Sequence, residues 1–125
     1  MKLLLDTHIL IWYLADDSKL PSAIRDMLVD PDNQVFVSVA SVWEIAIKKA
    51  LGKLASPDNL PEVLVECGFE VLQITIFHAL QAGALPRHHD DPFDRMLVAQ
   101  AMLEGLTLAT RDSRIPAYGV SILTV

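Results

Sequence analysis

A single cysteine, Cys67, rules out an internal disulfide, and no cysteine–histidine cluster has the spacing of a zinc site. A lone thiol is at home in a reducing compartment, so a cytoplasmic location is the expectation, with Cys67 a small core residue. No apolar run approaches the roughly 18 residues needed to cross a bilayer. The opening MKLLLDTHILIWYL imitates a signal peptide only until Asp6 and His8 interrupt it, and no small-residue cleavage site follows. An excess of positive charge is also missing, since the net charge is −6 and the pI is near 5.0. That balance counts against a nucleic-acid binder unless several acids share one cation site. Setting four such carboxylates aside brings −6 to −2. Repeats, low-complexity tracts and linkers are absent, so residues 1–125 read as one domain.

What is present is apolar and regularly interrupted. Hydrophobic residues make up 52% of the chain, above the usual value of about 45–50%, enough for a filled core or for surface reserved for a partner. Leu54, Leu60, Val63 and Leu64 are the residues expected to supply such a surface. Short apolar runs at Lys2–Leu5, Gln34–Val39, Glu70–Ile74, Leu106–Ala109 and Val120–Leu123 read as strands. Helical stretches lie between them at Thr7–Leu14, Ser22–Val29, Ser41–Leu51, Leu60–Glu66, Ile76–Ala82 and Pro92–Leu103. This alternation predicts an α/β domain with a largely parallel sheet covered by helices on both faces. Asp91-Pro92 reads as a helix cap followed by proline in the first turn, Thr75 caps the preceding helix, and Gly105 ends the long one. Gly83–Asp91 reads as a loop.

Ligands of open parallel sheets bind beyond the carboxyl ends of the strands, which directs attention to the acids found there. Asp6 follows the first strand and Asp112 follows the fourth. Each also has an ordinary reading, Asp6 as a helix cap and Asp112 as a turn former. Glu44 sits in an apolar helix, where pairing with Lys48 four residues on is worth only roughly 0.2–0.5 kcal/mol. Asp94 lies in the first turn of a helix, where the dipole stabilises an acid by roughly 0.3–1 kcal/mol. The weight comes from their joint placement at strand ends and helix starts. Four carboxylates in one cleft repel unless a cation intervenes, and hard oxygen ligands suit Mg²⁺ or Mn²⁺. Such an ion orients a phosphodiester and lowers the pKa of an attacking water.

Taken in order, LLLDTHILIWYL, SVWEIAIKKALGKL, HDDPFDRMLVAQA and LATRD resemble the PIN-domain toxins of VapC type from near the start of the chain to about Asp112. The resemblance implies a PIN-like fold with a five-stranded parallel sheet, and endonucleolytic cleavage of RNA leaving a 5′-phosphate. It also implies Mg²⁺ or Mn²⁺ held by Asp6, Glu44, Asp94 and Asp112, a homodimer, and a small antitoxin protein wrapped around the helices. Thr110 matches a hydroxyl position two residues before the last acid, behind the ligands or on substrate, and Thr7 is grouped with it. Arg95, Arg111 and Arg114 flank the acids as candidates to hold phosphate, and His88 and His89 as loop residues beside the site. Trp12 and Trp43 read as core.

Competing readings make different demands. A phosphohydrolase with an aspartyl nucleophile needs a second acid two residues after the first, where His8 stands. A receiver-like phospho-acceptor needs an acidic pair where Asp6-Thr7 stands. A catalytically silent PIN-like binding module is favoured by loss of one of the four acids, and all four are present.

Overall fold

The computed structural model describes residues 1–125. Five parallel strands form one sheet: β1 (Lys2–Leu5), β2 (Gln34–Ser38), β3 (Glu70–Leu72), β4 (Thr107–Thr110) and β5 (Ile122–Thr124). Their spatial order is β3-β2-β1-β4-β5, so the chain builds outward from β1 in one direction and then returns to build in the other. The register aligns Leu3 with Val35 on one side of β1 and with Thr107 on the other. Leu3, Leu4 and Leu5 are wholly buried, as a central strand covered on both faces requires.

Six helices flank the sheet: α1 (Thr7–Leu14), α2 (Ser22–Val29), α3 (Val39–Ala50), α4 (Leu60–Glu66), α5 (Ile76–Ala84) and α6 (Pro92–Glu104). Ile9, Leu10, Ile24, Leu28, Ile45 and Leu64 pack with Leu3 and Leu5 in one core layer. Leu97, Val98, Ala101 and Leu85 pack with Leu4 and Leu108 in the other. The fold is therefore the α/β sandwich that the alternating pattern predicts.

Helix ends follow local chemistry. Asp91 Oδ1 accepts the Phe93 and Asp94 N–H groups at the start of α6, and Gly105 closes that helix at φ +65°, a conformation that suits glycine. Thr75 and His78 form a reciprocal cap on α5. Gln100 of α6 is fully buried and donates to the Gln73 carbonyl, tying α6 to the link between β3 and α5.

Several boundaries differ from expectation for visible reasons. Ser38, the last residue of β2, also caps α3 by accepting the Ala40 N–H, so Val39 is helical. An unforeseen 3₁₀ turn at Ile115–Tyr118 consumes chain between β4 and β5 and delays the last strand to Ile122. Leu60 and Leu64 belong to the core and are not available to partners. Trp43, expected in the core, is exposed on α3 with its ring edge against Phe93.

Candidate metal centre

The strand order reverses between β1 and β4, and the acids just beyond these strands are joined there through the Thr110 hydroxyl. Asp6 is buried there, held by its backbone N–H on the Ala109 carbonyl (3.0 Å). One carboxylate oxygen caps α1 by accepting the His8 N–H (2.9 Å), and the other accepts the Thr110 hydroxyl (2.7 Å). Capping and site geometry thus coexist in one side chain. Burial works against ionisation of Asp6, but the bonds from His8 and Thr110 outweigh it and hold the carboxyl below its usual range. The same Thr110 Oγ1 accepts the Asp112 N–H (3.0 Å), so one hydroxyl joins the two strand-end acids.

Thr7 is buried and donates to Ser41 Oγ (2.9 Å), docking the start of α3 against the start of α1. Glu44, one turn beyond Ser41, is buried with Lys48 Nζ 2.6 Å from Oε2. The Lys48 ammonium is stabilised first by this hydrogen bond and also by the fields of Glu44, Asp91 and Asp94.

Asp94 and Asp112 meet at His89. The imidazole Nε2 lies 2.7 Å from Asp112 Oδ2 and 3.0 Å from Asp94 Oδ2, and the three ligand-type atoms lie within 4.8 Å of one another. Asp94 is pushed up to about 7, chiefly by burial and then by the negative charges of Asp6 and Asp91, with Glu44 adding to them. Asp112 moves the other way. Burial opposes its ionisation, but the Arg114 guanidinium, the Arg114 N–H and His89 hold it well below the carboxylate range. Within the cluster, ionisation is thus favoured on Asp112 and disfavoured on Asp94.

That distribution tests the fit of a cation. A buried carboxyl raised by its acidic neighbours is the mark of a site with more negative charge than its own groups neutralise. The structure brings ligand atoms of Asp94 and Asp112 within 4.8 Å of one another and of His89, while Asp6 and Glu44 lie outside that group; the carboxylate oxygens suit a hard divalent ion. The residues present fit one.

Two arginines are elsewhere than expected. Arg95 donates to the Ala82, Leu85, Pro86 and His89 carbonyls, so it braces the loop behind the site instead of facing substrate. Arg111 donates to the Val125 and Lys19 carbonyls and lies over the Trp12 ring, turned away from the acids. Both guanidiniums are drawn to carbonyls that only the folded chain brings near. Arg114 does meet the acids, forking onto both oxygens of Asp112 (3.2 and 3.1 Å). His89 is buried and carries a bridging role that the sequence signal, two adjacent loop histidines, does not separate from exposed His88. Tyr118, which no sequence signal marked, accepts the His89 N–H through its hydroxyl (2.9 Å).

This fold and acidic cleft define a class, and the chain belongs to the PIN domain family, which it matches over residues 3–120. It is 30% identical over 123 residues to Ribonuclease VapC22 of Mycobacterium tuberculosis, covering 92% of this chain and 90% of that protein. The fold is similar to that of VapBC2 from Rickettsia felis bound to a promoter DNA fragment (TM-score 0.73, 13% identity, 100% and 99% of the two chains covered). It is also similar to DNA-bound VapBC from Salmonella typhimurium (TM-score 0.72, 22% identity, 99% and 98% covered).

Proposed function

We propose that this protein is a metal-dependent endoribonuclease, the toxin of a toxin–antitoxin pair, with Asp6, Glu44, Asp94 and Asp112 as its catalytic acids. The observation that carries the reading is the convergence of Asp94 and Asp112 on one nitrogen of His89, with Asp6 tied to Asp112 through Thr110, at the reversal of strand order. Asp6, Glu44, Asp94 and Asp112 would hold Mg²⁺ or Mn²⁺, which supplies an acidified water and positive charge for the phosphodiester. The protein's own groups set the stage for that chemistry. Thr110 aligns Asp6 with the Asp112 backbone, and Lys48 holds Glu44 in place. Arg114, exposed beside Asp112, is the cation best placed to meet a substrate phosphate. The kinship with a ribonuclease supports RNA as the substrate over other phosphodiesters. Purified protein should cut bulk RNA into discrete fragments with Mn²⁺ and leave it intact with excess EDTA. Cleavage that persists in EDTA after repurification sinks the proposal.

Partner binding follows from the apolar surface. Trp43 and Ile47 on α3, with Leu51 just past its end, form one stripe, and Ile76, Phe77 and Leu80 on α5 form another, all exposed. Isolated surface apolar residues are ordinary, but two helical stripes suit association. We assign them to a second copy of the chain, giving a homodimer. A separate apolar hollow of about 240 Å³, lined by Ile11, Leu14, Ile45 and Pro57, suits an apolar segment of the antitoxin protein. At micromolar concentration, sedimentation should give twice the 13.8 kDa chain mass. A monomer mass that persists at high concentration counts against the dimer.

A further inference from the structure

We infer that His89 is a positioning residue of the acidic centre, a strut that donates to the carboxylates and does not itself bind the cation. The inference rests on the metal-centre reading above. Its basis is the tautomer that the surroundings impose. Nδ1 accepts the Asp91 N–H at 3.1 Å, so its lone pair faces that donor and the ring proton resides on Nε2. Nε2–H then donates to Asp112 Oδ2 at 2.7 Å, with Asp94 Oδ2 at 3.0 Å from the same nitrogen. A nitrogen that carries its proton has no lone pair for a metal. The ring therefore serves the carboxylates as a donor, although its distance from them alone suggests a third ligand.

The ring is held from several directions. The His89 N–H donates to Tyr118 Oη at 2.9 Å, and Tyr118 in turn donates to the Pro86 carbonyl at 2.9 Å. The His89 carbonyl accepts from Arg95, whose guanidinium also grips the end of α5. Burial of the ring leaves it no room to swing away. Asp94 rides on α6, and Asp112 follows β4. His89 is the one basic side chain within ion-pair distance of the Asp94 carboxylate. Arg114 holds Asp112 but does not reach Asp94, so with His89 removed no side chain would bridge the two acids.

The experiment uses the full-length chain, Mn²⁺ as the probe and two variants. His89→Gln keeps an N–H donor near the reach of Nε2. His89→Asn keeps an acceptor near the position of Nδ1 for the Asp91 N–H and loses the donor to the acids. Calorimetry should show Mn²⁺ binding weakened by about 10–100-fold in His89→Asn and largely restored in His89→Gln, as expected for an outer partner of the ligands. On RNA, His89→Asn should lower kcat and leave KM near that of the parent. Pulsed EPR of the Mn²⁺-loaded parent should show no directly bonded imidazole nitrogen, a result that needs no variant to fold. A bonded nitrogen in that spectrum overturns the inference, as does parent-like Mn²⁺ affinity in a folded His89→Asn. Equal loss in two folded variants overturns it too, because the donor would then be irrelevant. A parent that binds no Mn²⁺ at millimolar concentration brings down the metal-centre reading, and the inference with it.

Discussion

Asp6→Asn and Asp112→Asn, each supplied with Mn²⁺, should cut RNA at least about 100-fold more slowly than the parent. Loss of an outer partner of a metal ligand already costs about 10–100-fold, and these changes remove charge from the proposed ligands themselves. Both variants should fold. An asparagine at residue 6 still accepts the His8 N–H, and asparagine caps helices about as well as aspartate. At residue 112 an amide oxygen still accepts the Arg114 N–H. A Thr110→Val variant isolates the hydroxyl that joins the two acids, and should fall between them and the parent. Near-parent cleavage by Asp6→Asn would mean that the strand-end acids serve the fold and not the reaction.

Asp94→Asn should raise the melting temperature of the metal-free protein at pH 8. The Asp94 carboxyl titrates at about 7 in the fold, against about 3.9 in an unfolded chain, because burial and the charges of Asp6 and Asp91 disfavour its ionised form. The folded state thus holds a proton that the unfolded chain releases. The resulting stabilisation is fully present below about pH 3.9, falls as pH rises, and is gone once pH passes about 7. The whole shift corresponds to about 4 kcal/mol. Proton sharing among the acids and partial solvent access at Asp94 reduce the expected effect to roughly 1–3 kcal/mol, or about 3–10 °C. The variant carries no such penalty at pH 8 and should lose its advantage near pH 4. Mn²⁺ should stabilise the parent more than the variant, because the cation relieves repulsion that the amide has already removed. Asp91→Asn keeps its capping bonds to Phe93 and Asp94 but removes one of the charges that raise Asp94, so it should shift the melting temperature in the same direction by a smaller amount. A purely structural Asp94, stabilised by the helix dipole, predicts the reverse: a variant less stable at pH 8 by roughly 0.3–1 kcal/mol, with a lower melting temperature and an equal response to Mn²⁺.

Much of this architecture was readable because its signals are local. The Leu3–Leu5 run followed by Asp6, the LTLATRD segment, and the Asp91-Pro92 cap each declare an element and its end within a few residues. The acids after β1 and β4 could be singled out because parallel strands put their carboxyl ends on one edge. The errors fall where the deciding partner is distant in sequence. Arg111 bonds the Lys19 carbonyl, which no window on the chain brings near it, while Arg95 folds back on the carbonyls of the loop before it, a turn that only the packed loop decides. Trp43 looked like core from its apolar neighbours, but its place on α3 turns it outward.

His88 and His89 make the division plain. They are adjacent residues of one chemical type, and composition and periodicity treat them alike. In the fold, His89 is enclosed by Asp91, Arg95, Tyr118 and the two acids, while His88 stays exposed with its ring edge against Tyr118. Strand runs, caps and the identity of the four acids are properties of short stretches, because backbone conformation and local hydrogen bonding reach only a few residues. Which histidine bridges Asp94 and Asp112, which arginine faces the cleft, and which acid takes up the proton are set by distances between elements, and only the packed sheet and helices supply those.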